Sequence, residues 1–281
     1  MKKVKAYPPF SVLMSVYKNE SADYLNQSLR SIVNQTVPPY EIILVEDGPL
    51  PRALEKVIIK FQDRYSRFRV IKIAKNKGLG NALRIGTKYV NTEWIARMDS
   101  DDISVENRFE LQLKAVIQDP SLAVVGGQVS EFMKDDSNIV GYRYVPIDKE
   151  EIYSFAKWRS PFNHPSVLIN KNKLEAVGGY CPYGNLEDYY LWVRMIAKEY
   201  NVKNLDRVLV KMRVDSGMYS RRGKFSNIRY FYQLRNYLLR KGLVTRREEL
   251  IGDILMTVNI IVPGSIRKLV YKKILHSKTN S

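Results

Sequence analysis

The stretch Trp94–Asp102 reads WIARMDSDD. An apolar run closes on three carboxylates, Asp99, Asp101 and Asp102, within four positions. Carboxylates this close repel one another and raise one another's pKa unless a cation sits among them. A buried strand ending this way therefore points to a cation site at its tip. Oxygen-only ligands favour magnesium, manganese or calcium over zinc, which prefers the Cys and His that are scarce in this chain. An EF-hand loop counted from Asp99 requires Gly at its sixth position, and that position is Ser104. Magnesium and manganese usually keep open positions for a substrate's phosphates. The plainer reading is a solvated loop in which Asp102 or Ser104 caps the next helix. The stretch alone leaves both readings open.

Working outward, the flanking sequence supplies strands and helices in alternation. Phe10–Tyr17 (FSVLMSVY) is a short apolar run that reads as a buried strand. Ser21 can cap a helix whose Leu25, Leu29, Ile32 and Val33 share one face, and Pro38 and Pro39 end it. EIILVED, Glu41–Asp47, is a second strand ending in acid, followed by Gly48 and Pro49. A helix is predicted around Leu54–Phe61, a strand at Arg69–Ala74, and a turn running into a helix at Asn76–Gly86 (NKGLGNALRIG). This alternation predicts βαβ units in an α/β fold with a parallel, doubly wound sheet. Ligands of such sheets bind beyond the carboxyl ends of the strands, so Glu46-Asp47 and Asp99-Asp101-Asp102 should share one rim.

The second half is less regular. It offers a helix near Val105–Gln118, a strand at Ala123–Val129, the segment SPFNHPSVLIN with His164, and a Gly-rich loop leading into LEDYYLWVRM. Leu191, Trp192, Met195 and Ile196 recur at helical spacing there. Asp188, at the start of that helix, reads either as a helix cap or as a general base aimed into a site. His164 stands alone, and a lone His is more often structural than catalytic. Gly78–Gly80 (GLG) is neither a phosphate-binding P-loop nor a dinucleotide fingerprint, and no Ser or Cys nucleophile motif occurs.

Composition sets outer bounds. The chain has 281 residues, 45% hydrophobic and 27% charged, as an ordinary globular protein does. Its single Cys, Cys181, excludes an intramolecular disulfide and fits a reducing cytoplasm. The opening MKKVKAYPPF lacks the apolar core of a signal peptide. The longest uncharged run, Ile254 to Ile266, contains Pro263 and falls short of the ~20 residues of a spanning helix. The net charge of +17 is uneven: Tyr219–Ser281 carries fourteen Lys and Arg against Glu248, Glu249 and Asp253. Such a tail suggests an anionic partner, a membrane surface or nucleic acid.

Taken in order, SVLMSVYKNE, ILVEDG, NKGLGNALRIG, MDSDD and LEDYYLWVRM resemble the motifs of a family-2 glycosyltransferase of the GT-A fold, a Rossmann-like nucleotide-diphospho-sugar transferase, over about residues 9–215. The resemblance implies a mainly parallel sheet and an inverting, metal-dependent transfer from a UDP-sugar. It places Ser15 and Tyr17 against the nucleotide, Asp47 on the uracil and Arg84 near the base or phosphate. Asp99 would touch the ribose or metal, Asp101 would ligate Mn2+ or Mg2+, and Asp188 would be the catalytic base. Glu187, Tyr189, Trp192 and His164 would help to shape the acceptor or donor pocket. Two departures stand out. Glu46-Asp47-Gly48-Pro49 replaces the frequent DDGS, and KMRVDSGMYS has Asp215 where many relatives carry a His.

The wider pattern, with NHPSV before the acidic helix, resembles bacterial enzymes that build O-antigen or capsule repeats on undecaprenyl diphosphate, and among them β-1,3-galactosyltransferases that extend GlcNAc-diphosphoundecaprenol. It implies a cytoplasmic protein, peripheral on the inner face of the bacterial inner membrane. The expected organisation is a catalytic domain over residues 1–216 and a basic amphipathic helical tail over 217–281. In the tail, Phe225–Leu239 and Ile266–Leu275 combine apolar stripes with basic flanks that suit an anionic membrane surface; the alternative is that the stripes pack on the domain. A nucleic-acid reading would use the tail's Tyr230, Tyr232 and Tyr237 for stacking. No nucleic-acid motif is present, and the acidic rim would repel phosphates unless a metal is bound, so no nucleic acid is expected; a metal- or nucleotide-binding module without turnover is a second alternative, from which Asp188 discriminates because a binder needs no base.

Overall fold

The computed structural model describes residues 7–214 and 228–261. Its first part follows the predicted alternation: β1 (Phe10–Val16), α1 (Ala22–Val33), β2 (Glu41–Asp47), α2 (Arg52–Arg64), β3 (Phe68–Ile73), α3 (Leu79–Thr87) and β4 (Trp94–Asp99). All four strands pair in parallel in the order β3-β2-β1-β4. The chain steps outward from β1 to β3, then returns to lay β4 on the other side of β1. That reversal makes a crevice between the carboxyl ends of β1 and β4, the place where open α/β sheets bind ligands. Ser15 on β1 lies opposite Asp99 on β4 at its edge.

Side-chain alternation along these strands builds two apolar layers. Phe10, Val12, Met14 and Val16 of β1 pack with Leu25 and Leu29 of α1 and Ile58 of α2. Leu13 joins Ile43 and Val45 of β2 and Leu83 of α3 on the opposite face. Burial on both faces explains why these strands read as nearly unbroken apolar runs.

Beyond β4 the sheet is mixed. The elements are β5 (Ile103–Ser104), α4 (Arg108–Gln118), β6 (Leu122–Phe132), β7 (Ile139–Arg143), α5 (Lys149–Phe155), a 3₁₀ turn (His164–Ser166), β8 (Leu168–Asn170), α6 (Lys171–Ala176), α7 (Glu187–Ile196) and β9 (Asn201–Arg213). Sheet order continues β4-β8-β6-β9-β5, with β7 on the side of β6. β8 runs antiparallel to β4 and β6, and β5 runs antiparallel to β9; β6 and β9 are parallel. The parallel expectation thus describes the β3-β2-β1-β4 half and the β6–β9 pair. The three-residue β8 gives too short a pattern to read, and β9 interleaves charged residues with buried ones because it is only partly covered.

The basic tail contributes α8 (Ile228–Arg240) and α9 (Arg246–Ile261). Leu234 and Leu238 of α8 pack with Val244 on Tyr189 and Val193 of α7. The described part of the Phe225–Leu239 stripe therefore faces the catalytic part of the chain. Tyr230 and Tyr237, two of the three rings the nucleic-acid reading required, make ring contacts with Tyr183 and Tyr190, and the exposed Tyr232 bonds Thr257 through its hydroxyl. The stripe at Ile266–Leu275, Asp215 and the expected boundary at 216/217 lie outside the described residues.

Candidate active site

β4 delivers the acidic cluster. Asp99, Asp101 and Asp102 each present a carboxylate oxygen, and these oxygens lie within 4.8 Å of one another. Arg97, two residues before Asp99 and on the same face of the strand, is 2% exposed. Its guanidinium forks onto both oxygens of Asp99, with Nη1 2.5 Å from Oδ2. Below it a second buried arginine, Arg108 of α4, donates to the Arg97 carbonyl at 2.8 Å. Burial and the Arg97 charge push the Arg108 guanidinium down to about 9.

The other two carboxylates lack such a partner. Burial, with the charges of Asp99 and Glu20, pushes Asp101 up to about 7. Asp102 is 1% exposed and is raised well above the usual carboxylate range, first by burial and then by Asp101 and Asp99. Its Oδ1 accepts the Arg213 amide at 2.9 Å, while its Oδ2 has no partner. A buried carboxylate oxygen without a donor is costly, and an all-oxygen cluster answers that cost by holding a hard divalent cation. The residues present fit such an ion. Asp102 is not the cap of α4, since Asn107 occupies that position and Asp102 instead fastens β9.

α7 brings the second acidic pair to the same place. Glu187 and Asp188 open the helix, where the macrodipole favours negative charge. Leu186, not Asp188, occupies the N-cap. The Asp188 carboxylate accepts from Ser160 Oγ at 3.3 Å, and burial raises it above the carboxylate range while the Tyr189 amide and Arg97 hold it down. Burial pushes Glu187 up to about 7, and its Oε2 is a buried oxygen without a partner. Arg97 acts on Asp99, Asp102, Glu187 and Asp188 alike. The acid at the tip of β4 and the acid at the head of α7 thus flank one buried cation.

The remaining predicted residues fall into two groups. Ser15 is half-buried at the crevice and Tyr17, just past β1, is exposed. Asp47 ends β2 on the same rim; its oxygens accept the Lys77 and Gly78 amides at 2.7 and 2.9 Å, fixing the turn into α3. Gly48 has φ +91°, and a Cβ there would meet the Asn76 nitrogen at 2.8 Å, so the turn after Asp47 requires glycine. Arg84 is exposed on α3 and bonds Asn81.

His164, Tyr189 and Trp192, expected to shape a pocket, are buried. Trp192 is fully buried against Phe162 and His164. His164 bonds the Tyr180 hydroxyl at 3.2 Å, and burial and Arg97 hold it well below its usual range, hence neutral. Tyr189 donates to the Ala156 carbonyl at 2.6 Å under α8. Trp192 belongs to the apolar period of α7, and that period agrees with its burial.

Glu20, Arg97 and Ser160 belong to the site but were not singled out from sequence. Glu20 accepts from Ser100 Oγ at 2.6 Å and adds negative charge beside Asp101. The clue for Arg97 was a cation two residues before Asp99 inside an apolar strand. Nothing in the sequence flagged Ser160.

Comparison with known proteins bears on the family and the fold. The model of the family described as Glycosyl transferase family 2 matches residues 11–178. An uncharacterized glycosyltransferase of Haemophilus influenzae is 37% identical over 95% of this chain and 98% of its own length. The UDP-Gal:alpha-D-GlcNAc-diphosphoundecaprenol beta-1,3-galactosyltransferase of Escherichia coli is 33% identical over 95% of this chain and 97% of its own. Among solved structures, the mannosyltransferase PcManGT of Pyrobaculum calidifontis, in complex with GDP-Man and Mn2+, superposes with a TM-score of 0.66 at 15% identity, covering 99% of this chain and 77% of that one. At that identity the likeness speaks for the fold.

The orphaned Glu187 carboxyl gives a test of the site's electrostatics. A carboxyl raised to about 7 in the folded state stabilises the fold at low pH, and that contribution is lost as pH rises from the unfolded value toward 7. Glu187→Gln keeps the shape of the protonated group. In EDTA it is expected to melt with the wild type at pH 4 and above it at pH 8, a gain on the order of 1 kcal/mol. Thermal unfolding across that range is the measurement; a lower melting point for the variant at pH 8 contradicts the assignment.

Proposed function

This chain belongs to glycosyl transferase family 2 and is a glycosyltransferase, and from that premise we propose that it moves galactose from UDP-galactose, in β-1,3 linkage with inversion, onto a lipid-linked saccharide such as GlcNAc-diphosphoundecaprenol in the synthesis of a bacterial surface polysaccharide. The observation that carries the chemistry is the meeting of the β4 acids with Asp188 about buried Arg97 at the β1–β4 crevice. The choice of donor, linkage and acceptor is supported by the name of the Escherichia coli relative, which aligns over nearly the whole chain.

In this reading Ser15 and Tyr17 receive the nucleotide, and Asp47 turns its remaining lone pairs to the uracil. Arg84 lies toward the base or phosphate. A divalent ion, manganese or magnesium, held by Asp101 and Asp99 with Asp102 beside them, would offset the charge that develops on the departing diphosphate. Asp188 takes the proton of the acceptor hydroxyl as that oxygen attacks the anomeric carbon. The bond to UDP breaks on the opposite face, so an α-linked donor gives a β-linked product. The elevated pKa of Asp188 suits a general base, which works best near the operating pH. Ser160 fixes its orientation.

The acceptor's lipid suggests where the protein works. No helix among the described residues is long and apolar enough to cross a membrane. α9 nevertheless presents Leu250, Ile251, Ile254 and Leu255 at 61%, 41%, 54% and 59% exposure, with Arg246 and Arg247 at its start. Exposed apolar side chains flanked by cations suit the interface of an anionic leaflet, here the cytoplasmic face of the inner membrane.

Two experiments test these assignments. Asp188→Asn removes basicity while preserving shape, so sugar transfer is expected to fall ~10²–10⁴-fold, with UDP affinity by calorimetry little changed; near-normal turnover would reduce Asp188 to a structural residue. The full chain should sediment with anionic vesicles at low salt and be partly released at high salt, and Leu250→Ser/Ile254→Ser should weaken that binding. Equal partition onto neutral and anionic vesicles rejects the electrostatic attraction.

A further inference from the structure

The C-terminal helices reach back to the Asp188 neighbourhood through one buried cation. Arg235 of α8 is 1% exposed. Its guanidinium donates to the carbonyls of Lys157 and Glu248, lies 3.9 Å from the Asp253 carboxylate and sits 5.6 Å from the centre of the Trp158 ring. A buried guanidinium is costly unless its donors are met; α9 supplies one acceptor, the Glu248 carbonyl, and the Asp253 charge, while Nε has no hydrogen-bond partner. Gly252 stands inside α9, where alanine is the better helix former. A Cβ there would lie 2.5 Å from Arg235 Cζ. Lys157 adds a second tie, its Nζ 3.0 Å from the Glu248 carboxylate. Glu248 in turn closes a capping box with Thr245 at the head of α9.

Residues 157–160 are thus gripped at Lys157 by both C-terminal helices. Three positions on, Ser160 donates to Asp188. On the near side, Ala156 receives the Tyr189 hydroxyl from the residue after Asp188. We propose that Arg235 is a positioning residue for the catalytic carboxylate: it anchors the 157–160 segment so that Ser160 holds Asp188 in its working orientation, and Gly252 provides the space it occupies. The C-terminal helices are then part of the catalytic apparatus as well as a route to the membrane. The inference rests on Asp188 acting as the base.

The test uses the full-length chain and four variants: Gly252→Ala, Arg235→Lys, Ser160→Ala, and Gly252→Ala with Ser160→Ala. Gly252→Ala displaces the guanidinium without altering any charge, so it carries the test should Arg235→Lys fail to fold. Gly252→Ala and Ser160→Ala are each expected to lower kcat by roughly 10- to 100-fold, as misplacement of a reacting group does, with the donor KM and the melting temperature close to wild type. The double variant should be no slower than the slower single variant, because both changes break the same link. A wild-type kcat in Gly252→Ala, or effects that multiply in the double variant, overturns the proposal. If the wild type transfers no sugar, the functional reading fails separately. Amide exchange over residues 157–160 then decides: faster exchange in Gly252→Ala supports the anchor, and unchanged exchange overturns it.

Discussion

Arg97 sets the charge balance on which the site depends. A fully enclosed guanidinium is stable only beside anions, and the fold surrounds it with Asp99, Asp102, Glu187 and Asp188. One cation, reinforced from below by Arg108, faces more carboxylates than it can neutralise. Asp99 takes the paired position. Asp101, Asp102 and Glu187 are left with raised pKa values, and Asp102 and Glu187 each keep a buried oxygen without a partner. That deficit is the physical reason for expecting a second, exchangeable cation, and it ties the tip of β4 to the head of α7. Strand order supplies the rest, because the reversal at β1 opens the crevice at the point where Asp99 emerges.

The sequence was most informative where local pattern and tertiary environment agree. β1, β2 and β4 are buried on both faces, so their apolar runs identify them without knowledge of their neighbours. The acids at the ends of β2 and β4 stand out because carboxylates rarely follow such runs without a partner. The acidic rim was therefore readable in the sequence. The far side of the sheet was not: β8 has three residues, and β9 owes its pairing to β6 and β5 rather than to its own alternation. His164 and Trp192 show the limit for site residues. Each is enclosed by aromatic neighbours, and enclosure is a tertiary property. Ser160 reaches Asp188 across a separation of 28 residues that no local pattern encodes.

The basic C-terminal segment shows how one composition can serve two environments. Its α8 stripe is satisfied by α7, whereas α9 leaves four large apolar side chains exposed. A charge excess and an apolar period alone do not distinguish a helix that docks on protein from one that docks on lipid. The discriminating features are a buried cation held by backbone carbonyls on one helix and an exposed apolar face on the next. Their adjacency places the proposed lipid-facing surface and the helix that carries Asp188 in one packed unit.

The central claim is that the Asp99-Asp101-Asp102 cluster holds a divalent cation and that the cation in turn holds the donor's diphosphate. Calorimetric titration of UDP-galactose into the wild type and Asp101→Ala, each in manganese and in EDTA, addresses it most directly. The account predicts that the wild type binds the donor at least about tenfold more tightly in manganese than in EDTA, and that Asp101→Ala binds weakly in both. Equal wild-type affinity in manganese and in EDTA would contradict it.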